Sequence, residues 1–415
     1  MNDNKIINLI SNPVELESLY QKNPKQFKFW LKEAMIQSPA SETLKVWDAR
    51  INYSFDKVEM KDYSKLILVI ILSLVSLFLI KIQVFASISE EWYYPRFASI
   101  IVFGSLIFYF LDFKTKSFRH NITIILGIVL CTIIMILLPD KPKSASITMA
   151  QIHLPLVLVA LLALAFMSKK WKSSEAKLSF IKYAGETFVY STLILLGGMV
   201  LAALTVVLFN LIGINAEQWY LNYVVIWGCF AAPIVATYIY DKILYRKSKL
   251  ATLIANIFAP LFLITIIVYI SAIFFAQKSP FTNRDSLITF NGLLILVWGI
   301  SVFSITGKIL YSSSKITDIV NISLIALTLI INSIALSAIM FRLSEFGITP
   351  NRVAVIGANT LIFIHLVGIL VVYIKLLKNK TNTESLVRAI ANYLPVYSIW
   401  ALLVVIALPL IFNFK

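Results

Sequence analysis

Between Leu66 and Phe414 the chain alternates about eleven long apolar stretches with short polar connections. Each stretch is close to the roughly 20 residues that a helix needs to cross a bilayer. Windows such as 66–80 and 122–138 hold no polar face, so a helix formed there has nothing to turn toward water. The pattern predicts an all-α, polytopic membrane protein. Its spans fall at Leu66 to Phe85, Phe97 to Leu111, Ile122 to Leu138, Ile152 to Met167, Phe188 to Ile212, Trp219 to Tyr240, Leu253 to Ala276, Leu287 to Ile305, Ile319 to Phe341, Val353 to Leu377 and Tyr393 to Phe412. Lys81 interrupts the first span near its far end, where its long stem can carry the ammonium toward the headgroups.

Residues 1–62 are polar and charged and read as a separate helical segment ahead of a transmembrane domain at 63–415. They lack the apolar core of a cleavable leader, so insertion is expected to begin near Leu66. Asn12-Pro13 and Asn23-Pro24 each set a capping residue before a proline suited to the first helical position. In the second of these helices Phe27, Trp30, Leu31 and Ala34 share one face, and after Ser41 a third helix would place Leu44, Trp47 and Ile51 together. Such faces can pack on one another and on neighbouring loops, or they can dock on a membrane surface or a protein partner.

The basic residues settle the expected orientation. Alternate connections carry about 22 Lys and Arg against about 8, in register through every span. Clusters such as Lys114, Lys116 and Arg119, or Lys169, Lys170 and Lys172, lie on the rich side. An excess of this kind marks cytoplasmic loops, so the N-terminus is expected in the cytoplasm and the C-terminus outside it. The opposite connections run to about fifteen residues at most, too short for a folded domain.

Composition fits: 59% of residues are hydrophobic and 14% charged, with a mean hydropathy of +0.84, against roughly 45–50% and 25% in soluble chains. The formal net charge of +16 sits at the ends of apolar segments, which points to membrane lipids with anionic headgroups rather than to nucleic acid. Cys131 and Cys229 both lie inside apolar stretches and read as small core residues. No metal-ligand set or cofactor motif stands out, since His120 and His153 lie near segment ends with no acid or cysteine cluster beside them.

All 21 acids fall outside the predicted spans or at their edges, which disfavours a carboxylate relay at the midplane. The intramembrane polar residues are instead Asn256, Asn291, Asn332, Asn359 and His365, with Pro233, Pro260 and Gly197-Gly198 as places for helix irregularity. Asparagines in spans commonly hydrogen-bond between helices. Asn359 precedes His365 by six residues, roughly 120° around a helix, so the two are not one site, and His365 needs a partner from another helix or from water. Gly368, on the His365 face, would allow a close helix approach. The densest polar cluster outside the spans is the turn Arg342-Leu343-Ser344-Glu345-Phe346-Gly347-Ile348-Thr349-Pro350-Asn351-Arg352. There Arg342 and Arg352 could pair with Glu345 or bind a lipid phosphate.

The run from Arg342 to Val353, leading into a long apolar helix, resembles the signature of the bacterial membrane-protein family known as domain of unknown function 4153. Asn12 to Tyr20 and Trp47 to Tyr53 resemble members of that family as well. The resemblance implies a multi-pass protein of the bacterial cytoplasmic membrane and brings no catalytic residue with it. A transport, lipid-handling or accessory role in the cell envelope is therefore expected, with Arg342, Glu345, Arg352, Asn359 and His365 as candidate substrate-binding residues. The competing readings are a membrane glycosyltransferase or ligase acting on a lipid-linked substrate, with Glu90 and Glu91 as its acids, and a noncatalytic scaffold whose N-terminal helices recruit a cytoplasmic protein.

Overall fold

A computed structural model describes residues 6–52, 63–111, 118–211, 213–215, 217–276, 284–311 and 315–415. The chain forms two compact units, Met1–Ser64 and Lys65–Lys415.

In the first unit the predicted caps form. Helix α1 (Pro13–Lys22) is capped by Asn12, whose side chain accepts from the Glu15 N–H, and α2 (Pro24–Gln37) by Asn23, which accepts from Gln26. The Ser41 hydroxyl accepts from Leu44 in the first turn of α3 (Glu42–Asn52). The apolar faces of the three helices meet: Leu16, Phe27, Leu31, Ala34, Leu44 and Trp47 are buried together. The α2 face is thus buried in this unit's own core. Arg50 ties α3 to α1, donating from two nitrogens to the Glu17 carboxylate at 2.7 and 3.1 Å. Hydrogen bonds from Gln21 and Arg50 hold the half-buried Glu17 below the usual carboxylate range.

In the second unit eleven helices among the described residues are long and apolar enough to cross a membrane. They are α4 (Ser64–Phe85), α5 (Glu90–Phe110), α6 (Phe118–Leu137), α7 (Ala145–Met167), α8 (Ser174–Leu211), a composite sixth, α11 (Leu250–Ala276), α12 (Arg284–Tyr311), α13 (Lys315–Phe346), α14 (Pro350–Leu377) and a broken last one. The composite joins α9 (Glu217–Tyr220) to α10 (Ile226–Tyr238) through a π turn at Leu221–Val225, and a second π turn follows at Ile239–Ile243. The broken span is α15 (Thr383–Ala391) followed by α16 (Leu394–Ile411). Leu386, Val387, Ile390 and Ala391 bury one face of α15, a helix where the sequence predicted only a connection.

Two groups of helices share apolar cores. Residues of α4 to α7, with α10 and α16, form one set of clusters, residues of α11 to α15 form the other, and α8 contributes to both through Phe180, Tyr183 and Ile181. Helix α7 packs most extensively on α16 and also touches α14, which joins the groups. At one end Asp241 accepts from the Tyr109 hydroxyl at 2.9 Å and from Arg246 at 2.5 Å, and the Lys182 ammonium donates to the Arg246 carbonyl at 3.0 Å, so α5, α8 and the second π turn are fastened together.

Several boundaries and one side chain differ from expectation. Helix α8 begins at Ser174 rather than Phe188. Its 38 residues make it about 57 Å long, nearly twice a hydrocarbon core of roughly 30 Å. The Gly197-Gly198 pair causes no break in it. Lys81 does not reach outward: it is 9% exposed, donates to the Asn222 carbonyl at 2.7 Å and lies over the Tyr223 ring. Asn222 stands in the π turn, where widened winding redirects carbonyls from their usual partners, and Lys81 takes this one. Arg96, 3% exposed, donates to the carbonyls of Met135, Leu138 and Pro139 and so closes the C-terminal end of α6.

Candidate functional site

The turn between α13 and α14 is built by backbone chemistry. Gly347 has φ +77°, a conformation that favours glycine, and Thr349 caps α14 by accepting from the Arg352 N–H at 3.4 Å. The Arg352 guanidinium donates to the carbonyls of Phe346 and Gly347, which the end of α13 leaves without helical partners. Among the described residues no ion pair joins Glu345 to Arg342 or Arg352, because the arginine is spent on the helix end and Glu345 is exposed.

Asn359 and His365 lie on α14 and are both buried, in different surroundings. His365 finds its partners on three other helices. Its Nδ1 receives the Trp298 indole N–H at 3.2 Å and meets the Tyr397 hydroxyl at 2.9 Å, its Nε2 lies 3.2 Å from the Ala389 carbonyl, and its ring stacks on Tyr393. Asn359 sits in an amide chain: Asn332 donates to its carbonyl at 3.1 Å, and it donates from Nδ2 to Asn291 Oδ1 at 2.7 Å. That chain binds α13, α14 and α12, as an interhelical role for the asparagines requires. Gly368 faces open space, whereas a Cβ on Gly357 would strike the Trp400 ring. The close approach on α14 is therefore made at Gly357.

Beside Asn359 lies a cavity of about 510 Å³, within the size range of small-molecule sites. One wall is a stripe of α7 with Met149, His153, Leu156, Ala160 and Ala163 at helical spacing, a run of about 21 Å. Asn291, Ile295 and Trp298 of α12 and Ala358, Asn359 and Ile362 of α14 form the facing wall. Tyr397 and Trp400 of α16 complete the lining, with Phe180 of α8. Ile152, Leu156 and Ile295 of the lining are 58%, 51% and 55% exposed, and Leu156 and Ile295 stand within apolar stretches of their helices. The mouth therefore opens on the flank of the bundle, where the surface is apolar. Among the described residues no Asp, Glu, Lys or Arg lines the cavity.

His153, expected near a span end, lies two turns inside α7 because that helix starts at Ala145. The sequence pattern also missed two buried acids. Glu186, fully buried in α8, accepts from the Ser248 hydroxyl and from the Ala251 N–H at 3.0 Å, so a carboxylate sits at the start of α11 where the helix dipole favours it. Asp318 of α13 accepts from Lys308 at 2.6 Å and from the Tyr373 hydroxyl at 2.7 Å. Next to it Asn321 donates to Ser304, which donates to Asn256, giving a polar thread across α11 to α14. Glu90 and Glu91 occupy the exposed first turn of α5, Glu90 accepting from Gln83 at 3.4 Å, and neither lines the cavity. Among the described residues no three His, Cys, Asp or Glu side chains gather where they could hold a metal ion.

Comparison of the chain with protein-family models, curated proteins and solved structures returns no match.

Proposed function

We propose that this integral membrane protein handles lipids, binding an apolar chain from the bilayer in the cavity between α7, α12, α14 and α16. The observation that carries the reading is the cavity itself: mostly apolar, without a charged side chain among the described residues, and open through Ile152, Leu156 and Ile295 on the flank of the bundle. A solute taken from water would need polar groups along such a path, whereas a chain already in the bilayer exchanges one apolar setting for another. In this reading the protein belongs to the bacterial cytoplasmic membrane, as the resemblance to domain of unknown function 4153 implies. Its N-terminal unit and basic connections face the cytoplasm, and those connections meet anionic headgroups.

The test is to purify the protein in native lipid and identify what stays bound by native mass spectrometry, beside an Ala160→Trp variant that fills the cavity. A stoichiometric lipid present in the first and lost from the folded variant is the expected result. Equal lipid on both proteins would remove the cavity from the account. The transferase reading would require an acid at the bound lipid, and the nearest test of it is whether Glu90→Gln or Glu91→Gln changes a growth phenotype that Ala160→Trp leaves intact.

A further inference from the structure

We infer that the ligand of this cavity is an apolar chain carrying an uncharged group that both donates and accepts a hydrogen bond, a hydroxyl above all. The inference rests on the lipid-binding reading above and specifies its chemistry.

The lining contains several polar side chains, and most of their hydrogen-bonding capacity is already used. Trp298 and Tyr397 are turned to His365, and the Ser398 hydroxyl donates to the Leu394 carbonyl. What is left over includes both kinds of group. His153 shares its Nδ1 proton with the Met149 carbonyl at 2.9 Å, which makes Nε2 an acceptor, and no described residue pairs with that nitrogen. The Trp400 Nε1–H is a buried donor without a partner. Met149, one turn before His153, packs with Trp400 against Ala354, Val404 and Leu408, which brings both groups to the same end of the cavity. The amide pair behaves likewise. Because Asn359 Nδ2 is given to Asn291 Oδ1, Asn291 keeps a donor and Asn359 an acceptor, neither with a partner among the described residues.

The walls thus offer both donors and acceptors and, among the described residues, no charge. A carboxylate or phosphate can only accept, and would leave the acceptors of His153 and Asn359 facing negative oxygen. A quaternary ammonium can do neither. Each would also bring a full charge into a wall with no counter-ion, which an apolar setting penalises heavily. A hydroxyl fits both pairs. The volume of about 510 Å³ is that of a site for one small molecule, which favours a single chain.

The experiment uses the full-length protein in nanodiscs and probes that share one dibrominated chain, ending in an alcohol, in hydrocarbon or in a quaternary ammonium. Bromine quenches tryptophan on contact, and Trp298 and Trp400 line the cavity. The expected result is saturable quenching by the alcohol at a mole fraction at least tenfold below that of the other two. His153→Phe and Trp400→Phe should each lose most of that preference while still binding the hydrocarbon probe, which shows them folded. His153→Gln, which keeps an acceptor, should restore it. A brominated diacylglycerol carries the same hydroxyl on two chains, and whichever alcohol saturates first identifies the source. Equal binding of alcohol and hydrocarbon, tightest binding of the ammonium, or a preference unchanged in both variants would overturn the inference and leave the apolar cavity standing. Absence of saturable quenching by any probe would overturn the lipid-binding reading with it.

Discussion

Trp298 donates its indole N–H to Nδ1 of His365 across 3.2 Å, and because an indole nitrogen can only donate, that imidazole nitrogen carries its lone pair. The proton of the ring is then on Nε2, directed at the Ala389 carbonyl. His365 is in this way a three-helix connector whose hydrogen bonds are all committed, an arrangement that suits packing better than proton relay. Nitrogen NMR of the protein labelled at histidine should show the Nε2–H tautomer for this residue. His365→Leu should destabilise the protein by about 2 kcal/mol or more, since it leaves Trp298, Tyr397 and Ala389 without their partner. An unchanged denaturation midpoint would contradict this.

Gly357 and Gly368 offer a matched comparison on one helix. Gly357→Ala should force Trp400 aside, lowering stability by about 1–3 kcal/mol and shifting tryptophan emission. Gly368→Ala meets open space and should leave both unchanged. If the two variants melt alike, the packing of α14 on α16 differs from that described.

Lys308 and Asp318 are a pair with side chains only 17% and 9% exposed. Removing one partner leaves a charge in a poorly solvated place, so Asp318→Leu should cost about 3 kcal/mol. The double variant Lys308→Met with Asp318→Leu should recover much of the loss. A double-mutant cycle in unfolding measurements should show coupling above the roughly 0–1 kcal/mol of a surface pair. Additive effects would mean that the two charges act separately.

Orientation has its own check. A reporter active only in the cytoplasm should work when fused after Lys182 or Lys249 and fail when fused at Lys415. Cytoplasmic activity at Lys415 would shift the number of spans by one.

Long, uniformly apolar segments and capping pairs are properties of contiguous residues, which is why, among the described residues, the eleven helices long and apolar enough to cross a membrane and the starts of α1, α2 and α3 could be read directly from the chain. The polar continuations could not. A hydropathy window ends where polar residues begin, so it cut α8 back to Phe188 and left Glu186 outside, although burial against Ser248 and Ala251 makes that carboxylate part of the helix packing. Helix α15 escapes a span search for a different reason: nine residues are too short for a span, yet Leu386, Val387, Ile390 and Ala391 recur with a helical period after the cap Asn382, a signal present in the sequence. The cavity was not legible in the sequence: its α7 stripe begins at Met149, ahead of the Ile152 where the hydropathy pattern starts that span. Its facing wall comes from residues more than a hundred positions later, and no local pattern announces which helices will meet. The same holds for Gly357, whose role depends on Trp400 arriving from α16.

The contact between Lys81 and the Asn222 carbonyl spans 141 positions of sequence, which has a consequence for biogenesis. When the first apolar segment leaves the ribosome, the π turn that will receive its ammonium has not been translated. Through the synthesis of the next four spans that charge must be held by water, by headgroups or by the insertion machinery, at a cost that membrane-buried lysine always carries. Maturation of the first helix therefore waits for the sixth, and an arrest of translation before Asn222 would leave a chain whose leading segment is inserted but not yet seated.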